Sequence, residues 1–285
     1  MKQAKPSWLK RKLPTGPEYE KVRHLLASSK LHTVCQEAKC PNMWECFSKR
    51  TSTFMILGRQ CTRNCRFCNV TSDIPETLDP TEPLRVAKAA KDLGLKYVVV
   101  TSVTRDDLQD GGSAHFAETI QAIRKAVDGV GIEVLIPDFQ GDEAALITVL
   151  SAQPDVLNHN IETVPSLYAT VRPEAIYQRS LDLLKRASQI APHIPVKSGI
   201  MVGLGETHDQ LIQTMKDIHA HGCSILTLGQ YLQPSRHHLP VTEYYTPETF
   251  DSLKETALKI GFANVASAPF VRSSYQAESL SGRCC

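Results

Sequence analysis

The sequence predicts an α/β protein: a partial (β/α)6 barrel of parallel strands with one extension before it and one after it. Three observations lead there. From Pro83 onward, β-branched apolar runs alternate with amphipathic stretches, the rhythm of βαβ units joined by right-handed crossovers. Counting residues 54–57 as the first strand gives about six units before a final short strand, too few for the closed eightfold barrel. Polar residues and glycines follow successive strands, which favours a partial barrel over the alternative, an open doubly wound sheet. No internal repeat, low-complexity tract or long linker interrupts the chain. The expected division is an extension at 1–50, a barrel at 51–265 and a closing segment at 266–285.

A first helix is expected at about 18–29, opened by Pro17, with Val22, Leu25 and Leu26 on one face. The apolar run from Thr53 to Leu57 reads as a buried strand. Residues 84–93 are amphipathic and end at Gly94, a usual helix stop. The β-branched stretch 97–102 has the composition of a parallel-sheet strand. A helix near 114–127 precedes a strand at 132–136, and another near 142–150 precedes 156–161. A third, with Leu181, Leu184 and Ala187 at helical spacing, precedes 196–202. A fourth, near 209–219, leads into 225–229, and the last, 247–259, into 265–268.

Over 285 residues, Lys and Arg exceed Asp and Glu by 32 to 30, so nothing in the balance points to nucleic acid or an anionic membrane. A short basic arm (Lys2, Lys5, Lys10, Arg11, Lys12) reads as a solvated tail. No apolar run approaches the roughly 20 residues that cross a bilayer, and the opening segment lacks the apolar core of a secretory signal. A cytoplasmic monomer is expected, or a protein of an organelle interior after import. The nine cysteines are more informative. An odd number without a secretory signal argues against a disulfide framework and for metal or redox chemistry. Six of the nine lie between Cys35 and Cys68, in two groups of three.

The second group, Cys61-Thr-Arg-Asn-Cys65-Arg-Phe-Cys68, directly follows a strand. Three thiolates in a short loop suit a [4Fe–4S] cluster and leave one iron open, as a catalytic metal site requires. A zinc site is the alternative, but zinc motifs come as paired CxxC units, which CxxxCxxC matches poorly. This spacing, with Phe67 before the last cysteine, resembles the signature of radical S-adenosylmethionine (SAM) enzymes. The resemblance implies that the open iron chelates the methionine moiety of SAM and that reductive cleavage yields a 5′-deoxyadenosyl radical. It also implies SAM-binding roles for Phe67, for Gly111 and Gly112 after the second strand, and for Asn160 and Glu162 at the end of the fourth. Arg172 becomes a partner for the methionine carboxylate, and Gly203, in the stretch 199–206, part of an adenine-contacting segment. Read singly, the glycines are equally turn residues, Glu162 a helix-start carboxylate and Arg172 a surface cation.

The first group, Cys35, Cys40 and Cys46, has spacers of four and five residues and fits neither zinc-finger nor ferredoxin patterns. Together with the CxxxCxxC loop it resembles the lipoyl synthase family. Further matching stretches are 158–163, 229–234 and 267–272, followed by Arg272-Ser273-Ser274-Tyr275. The resemblance implies a second, auxiliary [4Fe–4S] cluster on Cys35, Cys40 and Cys46, with Ser274 as its fourth ligand and its sulfide as the source of inserted sulfur. A neutral hydroxyl is a poor iron ligand beside thiolate, and without the resemblance this segment reads as a polar turn. A ligand that leaves easily lets one iron depart while sulfide transfers.

The implied reaction inserts sulfur at carbons six and eight of an octanoyl chain on a carrier lysine, one SAM being cleaved per position. The implied partners are lipoyl carrier domains (2-oxoacid dehydrogenase E2 or glycine cleavage H-protein) and a ferredoxin or flavodoxin. Arg272, His237 and His238 are candidates for orienting the carrier. Cys223 reads as a buried small apolar residue and the terminal Cys284 and Cys285 as an exposed end. Two rivals stand beside this. Another sulfur-inserting radical SAM enzyme should lack the joint Cx4Cx5C and RSSY elements. A non-catalytic iron–sulfur redox sensor should lack an open iron and the strand-end set Asn160, Glu162 and Arg172.

Overall fold

The computed structural model describes residues 5–10, 17–37, 40, 42–48 and 53–281. Most of the basic arm (Lys2, Arg11, Lys12) and the terminal Cys284 and Cys285 lie outside them. Among the described residues, no helix is long and apolar enough to cross a membrane.

The extension holds α1 (Pro17–Ser28), β1 (His32–Thr33), α2 (Val34–Glu37) and α3 (Met43–Ser48). Val22 and Leu26 are fully buried, so one face of α1 enters the core as its spacing predicts. The barrel begins with β2 (Thr53–Ile56), then a small parallel pair, β3 (Gln60–Cys61) and β4 (Thr71–Ser72), that brackets the CxxxCxxC loop. Then come α4 (Glu82–Asp92), β5 (Tyr97–Ser102), α5 (Ser113–Ala126), β6 (Gly131–Leu135), α6 (Glu143–Ser151) and β7 (Val156–Asn158). A short α7 (Tyr168–Val171) and α8 (Tyr177–Ile190) lead to β8 (Val196–Val202), α9 (His208–Ala220), β9 (Ile225–Gln230), α10 (Pro247–Ile260), β10 (Asn264–Ser267) and α11 (Ala277–Leu280).

The main sheet runs β1-β2-β5-β6-β7-β8-β9-β10, and every pair but the first is parallel. Strand order follows chain order without reversal. A doubly wound sheet needs a reversal at its switch point, so that alternative is excluded and the singly wound barrel stands. The two-residue β1, antiparallel to β2, was not expected, since a pair of residues carries no periodicity. β7 stops at Asn158, short of the expected 161, because Asn160 and Glu162 turn inward and Glu162 bridges to Ile200 of β8.

The two faces of the sheet differ. Val98, Val100, Ile132, Val134, Leu157, Ile200, Leu226 and Leu228 join the helices in one continuous core. The alternate residues face the lumen, where Tyr97 and Val99 pack with Ala277 of α11. That last helix touches both β5 and β10, so the C-terminal segment fills the barrel that the eight-stranded sheet leaves open. The lumen is partly polar. Lys197 and Glu133 form a fully buried pair at 2.8 Å, and Tyr97 and Asn158 donate to the same carboxylate.

Candidate active site at the open end of the barrel

The Cys61–Cys68 loop is held along its whole length. Its first part is zipped to the segment after β5: the Thr62 N–H and hydroxyl both donate to the Thr104 carbonyl at 3.0 Å, and the Thr104 N–H reaches Cys61 Sγ at 3.3 Å. Its second part is held from two other sides. The Arg66 N–H donates to Val171 at the end of α7, and the Leu239 N–H donates to the Arg66 carbonyl. His238 donates from Nε2 to the Cys68 carbonyl at 2.8 Å, with Ser235 Oγ fixing its Nδ1 side at 2.8 Å. Burial, with Cys65 and Cys61 adding to it, pushes the Cys68 thiol up to about 12. Burial also raises Cys65, with Arg172 pulling against it. Thiols so placed stay protonated alone and become ligands only against the positive charge of a metal.

The strand-end residues converge beside this loop. Glu162 takes a left-handed backbone (φ 68) and is locked into β8 by bonds from its N–H to Gly199 and to its carbonyl from Met201. Asn160 Nδ2 donates to Glu162 Oε1 at 3.0 Å, while the buried Asn160 Oδ1 has no partner among the described residues. Arg172 gives Nη1 to the Asn160 carbonyl at 2.9 Å and lies over the Tyr168 ring, while its buried Nε is left without a partner. Burial raises the Glu162 carboxyl and Arg172 opposes the rise. Arg172 is thus no surface cation, and Glu162 no simple helix-start carboxylate.

The glycines have internal reasons as well. Gly111 and Gly112 have φ of 59 and 87, and side chains there would run into Phe139 and Leu57 respectively. Asp110 accepts from the Gly112 and Ala114 N–H groups and closes the turn onto α5. Gly203 (φ 98) has room for no side chain against the Gln230 amide and the Glu243 carbonyl. Phe67 is half-buried.

The first triplet comes to the same end of the barrel. Cys35 is buried, Cys40 and Cys46 are half-buried, and no described cysteine is in a disulfide. Burial pushes Cys35 up to about 12, with Cys40 the next contributor, as expected of thiols gathered together. Asn69, which follows Cys68, donates from Nδ2 to the Glu37 carbonyl at 2.7 Å and ties the two cysteine segments together. The C-terminal segment closes over them: Asn42 Nδ2 donates to the Phe270 carbonyl at 2.6 Å, and the Tyr275 hydroxyl reaches Glu45 at 3.3 Å. Ser273 and Ser274 sit half-buried in the turn between. Burial lowers Arg272, and the opposing influences of Cys40 and Glu162 place its guanidinium between the first triplet and the strand-end set. Of the three residues considered for orienting a carrier, His238 is engaged with the cysteine loop and Arg272 is half-buried, donating to the Val271 carbonyl. Only His237 is exposed.

Sequence reading missed Asn42, Asn69 and also Arg63, which pairs with Asp106 and Asp138, and it singled out His238 for another role than its bond to the Cys68 carbonyl. Single polar residues whose partners lie 32 to 228 positions away leave no local signal. Among the described residues, no three His, Cys, Asp or Glu side chains close on one point as a single-ion site does. The donor chemistry of two gathered thiol triplets, with Asn160 Oδ1 and Arg172 Nε unmatched beside one of them, fits a cubane cluster and a polar ligand.

Comparison with known proteins agrees. Residues 55–218 match the radical SAM superfamily, and residues 2–40 match the N-terminal domain of lipoyl synthase of the radical SAM family. The lipoyl synthase of Caldanaerobacter subterraneus is 56% identical over 274 residues, 96% of each chain. That of Rubrobacter xylanophilus is 53% identical over 273 residues, 96% of this chain and 85% of its own. Among solved structures, methylornithine synthase (PylB) superposes with a TM-score of 0.54 at 15% identity, over 92% of this chain and 90% of that one. Streptococcus suis SuiB bound to S-adenosylmethionine gives 0.59 at 11% identity over 74% of this chain, which spans about half (49%) of SuiB. These two likenesses speak to the fold alone. The chain belongs to the radical SAM superfamily, which works with a [4Fe–4S] cluster and SAM, and within it to the lipoyl synthase family.

Proposed function

We propose that this chain inserts sulfur at carbons six and eight of an octanoyl chain carried on a protein lysine, making the lipoyl group. The observation that supports this most is the meeting of three separated segments at one barrel end, joined by the Asn69–Glu37, Asn42–Phe270 and Tyr275–Glu45 bonds. One thiol triplet serves radical generation. A second, brought beside it with a hydroxyl-bearing turn, is what sulfur insertion adds.

An unactivated C–H bond gives acids, bases and electrophiles nothing to act on, so the side chains here hold, orient and shield. Bound at these residues, a [4Fe–4S] cluster with SAM supplies the one-electron chemistry that opens the C–H bond, and a second cluster supplies sulfur. Cys61, Cys65 and Cys68 would hold the cluster that acts with SAM, three thiolates for four irons leaving room for a ligand from SAM. Arg172 Nε and Asn160 Oδ1, both buried and unmatched, orient SAM with Glu162. Phe67, Gly111, Gly112 and Gly203 wall its site. Cys35, Cys40, Cys46 and Ser274 would hold the second cluster, with Ser274, a neutral hydroxyl, the weakest donor of the set. The division at 1–50, 51–265 and 266–285 follows these roles. The partners in this reading are E2 or H-protein carrier domains and a ferredoxin or flavodoxin, met in the cytoplasm by a monomer.

The test is mass spectrometry of an octanoyl-lysine peptide after anaerobic incubation with reconstituted protein, reductant and SAM. Gain of two sulfur atoms with 5′-deoxyadenosine is expected. 5′-Deoxyadenosine with an unchanged peptide would mean another substrate, and neither product from a fully loaded protein would overturn the enzyme reading. Ser274→Cys should slow sulfur transfer, and an undiminished rate would remove ligand lability from the mechanism.

A further inference from the structure

Arg63 lies inside the cysteine loop, two residues from both Cys61 and Cys65, yet its side chain turns away from solvent and is only 5% exposed. Its Nε and Nη2 bind both oxygens of Asp106, at 2.6 and 2.8 Å. The same Nη2 also donates to Asp138 Oδ1 at 2.6 Å. Asp138 is fully buried and takes a second cation, Arg179 Nε, on its other oxygen at 2.8 Å. Asp138 also caps the turn after β6, accepting from the Gln140 N–H at 3.1 Å, in a stretch where Phe139 and Gln140 both have left-handed backbones. Two cations and two carboxylates therefore sit behind the loop with formal charges summing to zero. Four elements meet in them: the cysteine loop, the segment after β5, the turn after β6 and α8.

The balance is unusual in its cost. Desolvating Arg63 and Asp138, beside the partly exposed Asp106 and Arg179, is compensated only when geometry is good and every oxygen is matched, as it is for Asp138. A plain structural tie would be as well served by a neutral hydrogen bond, such as His238 provides at the loop's other end. What a neutral ion network adds is rigidity without net charge beside a redox group. Cluster potential responds to net charge and hydrogen bonding nearby, and charges held in a low-dielectric interior act over longer distances than in water.

We propose that Arg63, Asp106, Asp138 and Arg179 form a charge-balanced clamp that shapes the Cys61–Cys68 loop and sets the reduction potential of the cluster it holds. This rests on the reading that the three cysteines ligate a redox cluster. Removing one charge unbalances the clamp with a definite sign. Arg63→Gln leaves an uncompensated carboxylate and makes the added electron harder to accept. Asp138→Asn leaves an uncompensated guanidinium and makes it easier. Arg63→Lys keeps the charge and stays near the parent.

The experiment is a potentiometric titration of the reconstituted full chain, followed by the electron paramagnetic resonance signal that changes shape when SAM is added. Iron content is measured in parallel. A downward shift for Arg63→Gln and an upward shift for Asp138→Asn are expected, each changing the ratio of reduced to oxidised cluster at the parent midpoint several-fold. A loop that is merely loosened would move both variants the same way, and that result, or no shift in either, overturns the proposal. If Arg63→Gln fails to hold iron, Arg179→Gln takes its place against Asp138→Asn, with the same opposite signs required. Absence of any SAM-responsive signal in the parent chain would instead overturn the cluster reading beneath it.

Discussion

The two cysteine triplets sit at one end of one barrel, but the chain holds them differently. Cys61, Cys65 and Cys68 are fixed from every side by barrel elements: hydrogen bonds to Thr104 and Val171, the His238 bond and the buried Arg63 ion network. Cys35, Cys40 and Cys46 lean on short helical pieces, tied to the barrel by the β1–β2 pairing and the Asn69–Glu37 bond and to the C-terminal segment by bonds spanning 228 and 230 positions. The first arrangement is built into the fold and exists wherever the barrel does. The second is closed over only when the two ends of the chain meet. A site that must give up part of its own cluster in each catalytic cycle is better placed on the looser arrangement, and a site that must stay intact on the tighter one.

Removing the thiols should separate the two most sharply. Alanine at Cys61, Cys65 or Cys68 should abolish both 5′-deoxyadenosine formation and sulfur transfer. Alanine at Cys35, Cys40 or Cys46 should abolish only sulfur transfer, with iron content falling in both sets. Acid should reach the barrel triplet's support through His159. Burial lowers His159 from 6.5 to about 4, with Arg172 adding to the effect, and the ring is held between the Ile136 carbonyl and Ser180. The folded state resists a proton that the unfolded chain accepts below 6.5. Stability is therefore whole above pH 6.5 and lost as pH falls toward 4, by about 3 kcal/mol in all. Denaturant titrations across that window check this, and His159→Gln should flatten the slope. Asn42→Ala should next loosen the terminal closure by about 1–1.5 kcal/mol, by removing its bond to the Phe270 carbonyl. Limited proteolysis of the C-terminal segment should quicken and sulfur transfer fall roughly tenfold, with SAM cleavage unchanged. Smallest is His238→Ala, which removes one hydrogen bond of about 1 kcal/mol from the barrel triplet. SAM cleavage should slow a few-fold, and His238→Gln should restore part of it.

How much of this was legible in the sequence follows the range of the interactions. Period and composition located the barrel strands and their helices to within a few residues, because β-branched runs and amphipathic spacing are local properties. The singly wound order could only be preferred until the sheet showed β2, β5, β6, β7, β8, β9 and β10 in sequence. The lumen was not legible. Lys197 and Asn158 lie in strands whose neighbours look uniformly apolar, and only the register shows them sharing a face with Glu133. The glycines at 111, 112 and 203 stood out as sites of close approach, yet their tightest neighbours are Phe139, Leu57, Gln230 and Glu243 of the same chain.

By itself the sequence determined the donor sets and the barrel period, because spaced thiols and strand–helix alternation are written in consecutive residues. That the two triplets share one barrel end, that the last segment fills the lumen and ties to Asn42, and that Arg63 turns inward onto two carboxylates were decided only by tertiary structure. Each depends on side chains meeting across tens to hundreds of positions, where the partner's identity is set by packing and charge balance and leaves no periodic trace.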